Sequence, residues 1–259
     1  MRKKRLMITV GIVAVLFVAM YLSNDAVWRP KPPPNVQLEG RLATNVEAPV
    51  EPEVATNSEQ AADIPPGPEP GTEVKLKVTD AAKLSPEEQK LADEAKGTLV
   101  KLATDKGDIY LDLYDKETPV TVGSFLELVS RGFYDGLNFH RVIANFMIQG
   151  GDPQGTGAGG PGFTIPDEAD KGLKHKRGTL SMAKTAMPNT GGSQFFICHA
   201  SQSHLDGVHT VFGETVQGLD VVDKIAVGDK ITTASILKKS DVADDDVTKA
   251  LSARKAGNR

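Results

Sequence analysis

Residues 98–114 read TLVKLATDKGDIYLDLY. Apolar and polar residues alternate on both sides of Lys106-Gly107, the signal of two short strands joined by a tight turn. Thr118-Pro119 then opens a helical pattern. Val122, Phe125, Leu126 and Val129 recur at helical spacing, and Gly132 follows the end. Short apolar runs come next, at residues 138–143, 146–149, 178–183, 194–198 and 210–214, separated by loops rich in Gly, Pro and Asn. A second short helix is predicted over 219–226 and a closing strand over 231–238. Many short strands with two helices predict a mainly β protein, a closed antiparallel barrel with helices on its ends.

Upstream of residue 97 the character changes. Of the 14 aromatic residues, three (Phe17, Tyr21, Trp28) lie in the first 30 positions and 11 lie between Tyr110 and Phe212. A segment without aromatics can hardly bury enough surface to offset the entropy of ordering it, so the packed core is expected over 97–240. The N-terminus carries Arg2, Lys3, Lys4 and Arg5 ahead of a 17-residue apolar run from Leu6 to Leu22. Such a run is long enough to cross a bilayer, and the basic flank keeps that end cytoplasmic. Residues 1–30 are therefore predicted to be a transmembrane anchor, single-pass in the cell membrane. The C-terminal part would then be extracytoplasmic (periplasmic in a Gram-negative cell). The rival is a cleaved signal and a secreted protein, although no A-x-A-like site follows Leu22. Residues 31–96 read as a Pro-rich acidic linker: nine prolines fall within 31–84, and 13 acidic residues face 7 basic ones over 31–96. Within it, Ser85-Pro86-Glu87-Glu88 has the composition of a helix start. Residues 241–259 read as a charged, frayed tail.

Composition narrows the chemistry. A formal net charge of −4 argues against a protein that coats nucleic acid. The single cysteine, Cys198, excludes an internal disulfide and a cysteine-based zinc cluster. Gly155 to Gly160 fits G-x-G-x-x-G, but Pro161-Gly162 follows where a dinucleotide site needs a helix. His199, His204 and His209 are five apart, which suits neither a helix face nor zinc-site spacing. Ser193 lies in GGSQFF and not in a G-x-S-x-G elbow. Cys198 ends an apolar run and reads as a buried thiol. No cofactor is implied.

Three stretches stand out: FHRVIANFMIQGGDPQGTGAGGPGF (139–163), GTLSMAKTAMPNTGGSQFFICHA (178–200) and HLDGVHTVFGETVQGLDVVDKI (204–225). Together they strongly resemble the cyclophilin family of peptidyl-prolyl cis-trans isomerases, over about residues 97–240. The resemblance implies a closed eight-stranded antiparallel barrel capped by two helices, and an enzyme that takes proline-containing polypeptides and accelerates X–Pro isomerisation. It places the family's catalytic arginine at Arg141. Gln149 matches the side chain that orients it. Phe146, Met147, Phe196 and Leu205 match the proline pocket, and His209 its edge. Gln194 and Gly155 match groove-lining positions. Ala183 and Lys184 match the segment whose backbone holds the substrate chain, with Lys184 where many members have Asn. His204 stands where many eukaryotic members have Trp. A monomer is expected. A second reading of the same groove is a non-catalytic module or chaperone that binds Pro-containing segments.

These residues also suit the chemistry on their own terms. Rotation about a peptide bond faces a barrier of about 18–20 kcal/mol, set by amide resonance. Lowering it needs an apolar slot for the proline ring and a donor aimed at the imide nitrogen. As the bond twists, that nitrogen gains a lone pair. A fixed guanidinium then stabilises the twisted state more than the planar one.

Overall fold

The computed structural model describes residues 74–256. The expected anchor and most of the expected linker lie outside the described residues, and among those described no helix is long and apolar enough to cross a membrane.

The hairpin forms as its alternation dictates. Strands β1 (Leu99–Thr104) and β2 (Gly107–Leu113) pair in antiparallel register from Leu99–Asp112 to Thr104–Gly107. The turn between them is held by the Thr104 hydroxyl, which donates to the Gly107 carbonyl at 2.7 Å. Helix α1 (Pro86–Glu94) precedes the hairpin and α2 (Pro119–Ser130) follows it. Then come β3 (Arg141–Ile143), β4 (Met147–Gly150), β5 (Phe163–Thr164), β6 (Thr179–Met182), β7 (Phe195–Cys198), β8 (Val211–Gln217), the short α3 (Leu219–Val222), β9 (Ile231–Lys238), α4 (Ala243–Ala253) and β10 (Lys255–Ala256). Eight strands form one antiparallel half-barrel, in the order β3-β4-β7-β6-β8-β2-β1-β9. The chain leading into its edge strands is joined by backbone bonds: Asn138 bridges Lys230, and the Phe139 N–H donates to the Asp229 carbonyl at 2.9 Å.

One large apolar cluster forms the core. Phe125 of α2 sits at its centre, 5.1 Å from Tyr134, 5.3 Å from Phe212 and 5.8 Å from Phe195, ring centre to ring centre. Period-two alternation then sorts β7: Phe195 and Ile197 join this core, whereas Phe196 and Cys198 face the other way, into a separate apolar cluster.

Three expectations need correction. The first concerns the tail. Residues 243–253 form a helix packed on α2, with Ala243, Asp246, Val247, Ala250 and Leu251 buried. Those apolar positions recur at helical spacing, and Asp244, Asp245 and Asp246 suit the positive end of the helix. Gly123 lets the two backbones meet: a Cβ there would lie 2.0 Å from the Asp246 carbonyl oxygen. Second, the end of the expected linker is ordered against the sheet. Leu76 enters the core, Val78 bridges Ile236, and α1 begins with a reciprocal Ser85–Glu88 capping box. A segment that docks on an existing sheet needs only a few aliphatics, not an aromatic core of its own. The third correction is the helix count: α1 forms where Ser85-Pro86 reads as a helix start, α4 is an addition, and the helix expected over 219–226 is shorter, stopping at Val222.

Candidate active site

Strand register brings the polar candidates together. Arg141 pairs with Gln149 across β3–β4, Gln149 with Phe196 across β4–β7, and Phe196 with Ser181 across β7–β6. Directly paired residues project to the same face, so one row crosses four strands. Arg141 is exposed. Its Nη1 lies 3.3 Å from Gln149 Oε1, and its guanidinium carbon is 5.9 Å from the Phe146 ring centre. Gln149 Nε2 donates to Gln194 Oε1 at 2.9 Å, and Gln194 Nε2 donates to the carbonyls of Gly157 (3.0 Å) and Gly159 (2.8 Å). The arginine is thus the first link of a chain that ends on the 153–160 loop. With five N–H donors on a guanidinium, donors remain beyond the one given to Gln149.

That loop is wrapped around a buried carboxylate. Asp152 accepts from the N–H groups of Gln154 (2.8 Å) and Gly159 (3.1 Å) and leaves no helix after the glycines. The G-x-G-x-x-G pattern is therefore a turn built on Asp152. Gly155 lies inside it, buried, at φ +68°, a conformation that glycine adopts without strain.

Beside the row lies the apolar cluster. Met147, Phe196 and Cys198 are buried, and Phe146, Ala183 and Leu205 pack against them. Three of the five apolar candidates come from separate elements, Met147 from β4, Phe196 from β7 and Leu205 from the 3-10 turn Ser203–Leu205, and Ala183 directly follows β6. Phe146 follows the Ala144-Asn145 turn, where Asn145 takes φ +61°, a conformation that Asn tolerates. Burial pushes the Cys198 thiol up to about 12, so it is not a thiolate nucleophile. Ser193 is likewise committed, donating to the Gly151 carbonyl at 2.7 Å.

The histidines are spent separately. His204 stacks on Phe146 at 5.9 Å, ring centre to ring centre. His209 stands edge-on to Phe196 at 5.6 Å, with Nδ1 3.1 Å from the Met182 carbonyl. A carbonyl only accepts, so Nδ1 carries the proton. Burial lowers the pKa of this imidazole. His199 lies between the carbonyls of Ile143 and Val222.

Two candidates depart from expectation. The Ala183 N–H is committed to the Gln194 carbonyl at 2.9 Å, so Ala183 offers its methyl and not its donor. The Lys184 side chain turns to Asp167, 3.4 Å away, with its head group nearly covered.

Sequence reasoning missed three residues here. His175, Ser181 and Asp206 form a hydrogen-bonded set against Phe196. His175 lies outside the three diagnostic stretches, and no spacing rule links it to the others.

Comparison with known proteins agrees with this architecture. The family described as "Cyclophilin type peptidyl-prolyl cis-trans isomerase/CLD" matches residues 99–247. A peptidyl-prolyl cis-trans isomerase of Synechococcus elongatus is 54% identical over 138 residues, 52% of this chain and 94% of that protein. One from Helicobacter pylori is 52% identical over 147 residues, 56% of this chain and 88% of that protein. Among solved structures, a cyclophilin type isomerase of Cryptosporidium parvum, crystallised in the presence of the dipeptide Ala-Pro, superposes with a TM-score of 0.51. It is 35% identical, and the match covers 53% of this chain and 98% of that one. With the family matched over more than half its length, and with relatives at about half identity spanned almost entirely, the chain belongs to the cyclophilin-type peptidyl-prolyl cis-trans isomerases.

Proposed function

We propose that the enzyme works without covalent chemistry, through Arg141 and the slot beside it. The carrying observation is the chain Arg141–Gln149–Gln194 at the rim of the Phe146, Met147, Phe196 and Leu205 cluster. The slot takes the proline ring, which fixes the imide plane. Arg141 donates to the imide nitrogen as it becomes pyramidal. Gln149 holds the guanidinium on one side, which limits the reorganisation needed as the bond twists. Lys184 supplies the main-chain anchor for the residues flanking proline, and Gln194 and Gly155 line the groove's far end. Ala183, His204 and His209 complete its walls. The substrates are proline-containing polypeptides, and the Ala-Pro dipeptide present with the Cryptosporidium relative supports that class. Uncatalysed, this isomerisation takes tens to hundreds of seconds. NMR exchange spectroscopy on an Ala-Pro peptide, with and without the full chain, tests the activity. Peptide binding without faster exchange would favour the non-catalytic module.

The backbone bonds between residues 136–139 and 228–231 support closure of the eight strands into a barrel. The apolar run 6–22 supports a membrane anchor, with the catalytic part held outside the cytoplasm by the Pro-rich segment. Ordered packing from Val74 to Arg254 supports a catalytic domain that extends beyond 97–240 at both ends. A monomer fits the protected sheet edge: β9 is met by Thr79 at Ile236 and by Asp135 at Ala234.

The pH profile follows from the same groups. A guanidinium stays charged at every workable pH. Burial lowers the pKa of His209 and of His175, so both are neutral above the ordinary imidazole value of about 6.5. kcat/KM is expected to be flat from about pH 6.5 to 8. A steep change across that interval would put an imidazole into the chemistry. Stability carries the matching sign. A depressed folded-state value favours the folded form above about pH 6.5, and that advantage falls away as the pH drops toward the folded value.

A further inference from the structure

Against Phe196 lies a buried group that the isomerisation step does not use. The side chain of His175 is 0% exposed. Its ring is nearly parallel to that of Phe196, at 10° and 5.8 Å. Its Nδ1 is 3.0 Å from Asp206 Oδ1, and its Nε2 is 3.0 Å from Ser181 Oγ. Order and distances are those of a Ser–His–Asp hydrolase triad. A nucleophile must be reached, however, and Ser181 is fully buried, with its Oγ also 3.0 Å from the Thr210 carbonyl. The set cannot meet an acyl group, so its use must be mechanical.

The carboxylate fixes the tautomer of the ring. Asp206 Oδ1 also accepts from the His175 backbone N–H at 2.8 Å, and Lys174 lies 3.4 Å from its other oxygen. These bonds, with those from His175 foremost, hold the carboxyl down at about 2. An ionised carboxylate only accepts, so the ring proton sits on Nδ1. Burial disfavours the imidazolium, which leaves Nε2 an acceptor, and the single proton of the Ser181 hydroxyl faces both this nitrogen and the Thr210 carbonyl, each 3.0 Å away. The Thr210 carbonyl keeps another donor, the Met182 N–H at 2.9 Å. The ring cannot turn without losing its Nδ1 bond to Asp206 and its contact with Ser181.

Those bonds join three parts of the groove. Ser181 is the register partner of Phe196 and lies two residues before Ala183. Asp206 lies between Leu205 and His209 on the segment that walls the slot. Phe196 itself is held by the face of His175 and the edge of His209. We propose that His175 is a positioning residue for the isomerase: pinned by Asp206 and Ser181, it is the plate that fixes Phe196 and so sets where the proline ring rests relative to Arg141. This rests on the placement of Phe196 in the proline slot. A misplacement of about 1 Å at a reacting centre can cost a hundredfold in rate, so a loosened plate should be felt in catalysis.

The test is a double-mutant cycle on the full chain, read as kcat/KM at a temperature where every variant is folded. His175→Gln is expected to lower kcat/KM about tenfold, since a flexible amide replaces the flat ring. In a Phe196→Leu background the same change should cost less than about twofold, because the ring it positions is gone. Asp206→Asn, which keeps an acceptor for Nδ1–H, should cost about threefold and lose that cost in the same background. If His175→Gln does not fold, Asp206→Asn and Ser181→Ala carry the cycle. Additive losses would overturn the positioning role, as would an unchanged rate. Failure of the underlying mechanism would look different: an active Arg141→Ala variant, whatever the His175–Phe196 coupling.

Discussion

Arg141→Ala is expected to lower kcat/KM at least about a hundredfold, roughly 2.7 kcal/mol of transition-state stabilisation, with the melting temperature almost unchanged. Both halves follow from the side chain's surroundings. Arg141 is exposed, and its recorded contacts are Gln149 and the Phe146 face. Exposed substitutions of this kind usually shift stability by no more than about 0.5 kcal/mol. Catalysis is another matter. A donor to the pyramidal nitrogen is worth little in the planar ground state, so kcat should fall more than KM rises. Arg141→Lys should recover little, because a compact ammonium on a flexible stem cannot hold Gln149 and reach the imide with one planar fork. Stopped-flow or exchange measurements on both variants, beside thermal melts, check this. Full activity in Arg141→Ala would leave the apolar slot as the sole source of rate enhancement.

What could be read from sequence followed from what each signal measures. Period-two alternation and the Lys106-Gly107 turn located β1 and β2 because a half-buried strand must alternate. The Thr118-Pro119 start and the spacing of Val122, Phe125, Leu126 and Val129 located α2 for the analogous reason. The diagnostic stretches supplied Arg141, Phe146, Gln149, Phe196 and Gln194, and the structure gathers all five. Register was invisible, so nothing in the sequence showed that Arg141, Gln149, Phe196 and Ser181 share one row. Nor could it show that the Ala183 N–H is already committed. His175 was missed for a different reason: a buried histidine has no periodic signature, and its partners lie 6 and 31 residues away. The C-terminal helix is hidden from a reading by charge, because the stripe formed by Ala243, Val247, Ala250 and Leu251 shows only in the spacing.

That stripe carries the second large effect. A chain ending at Ser240 is expected to melt at least about 10 °C below the full chain. Val247 and Leu251 are 1% and 2% exposed, and each such side chain contributes roughly 1.5–3 kcal/mol by burial. Their loss also uncovers α2, which is buried from Thr121 to Val129. Glu127, itself 0% exposed, would lose the 2.6 Å bond from Arg254 and, among the described residues, keep the 3.2 Å contact with Arg131. A buried carboxylate left short of a partner costs several kcal/mol more. Against a typical total of about 5–15 kcal/mol, the sum is a large fraction, and each kcal/mol moves the midpoint of a domain of this size by about 2–4 °C. Gly123→Val is the control that keeps the whole sequence: its side chain occupies the space of the Asp246 backbone, so it should unseat α4 and reproduce much of the loss. An unchanged midpoint in both variants would make α4 an appendage and return the boundary to 240. A shared drop would mean that activity measured on the shorter fragment reports unfolding and not chemistry, so the Arg141 comparison belongs on the full chain.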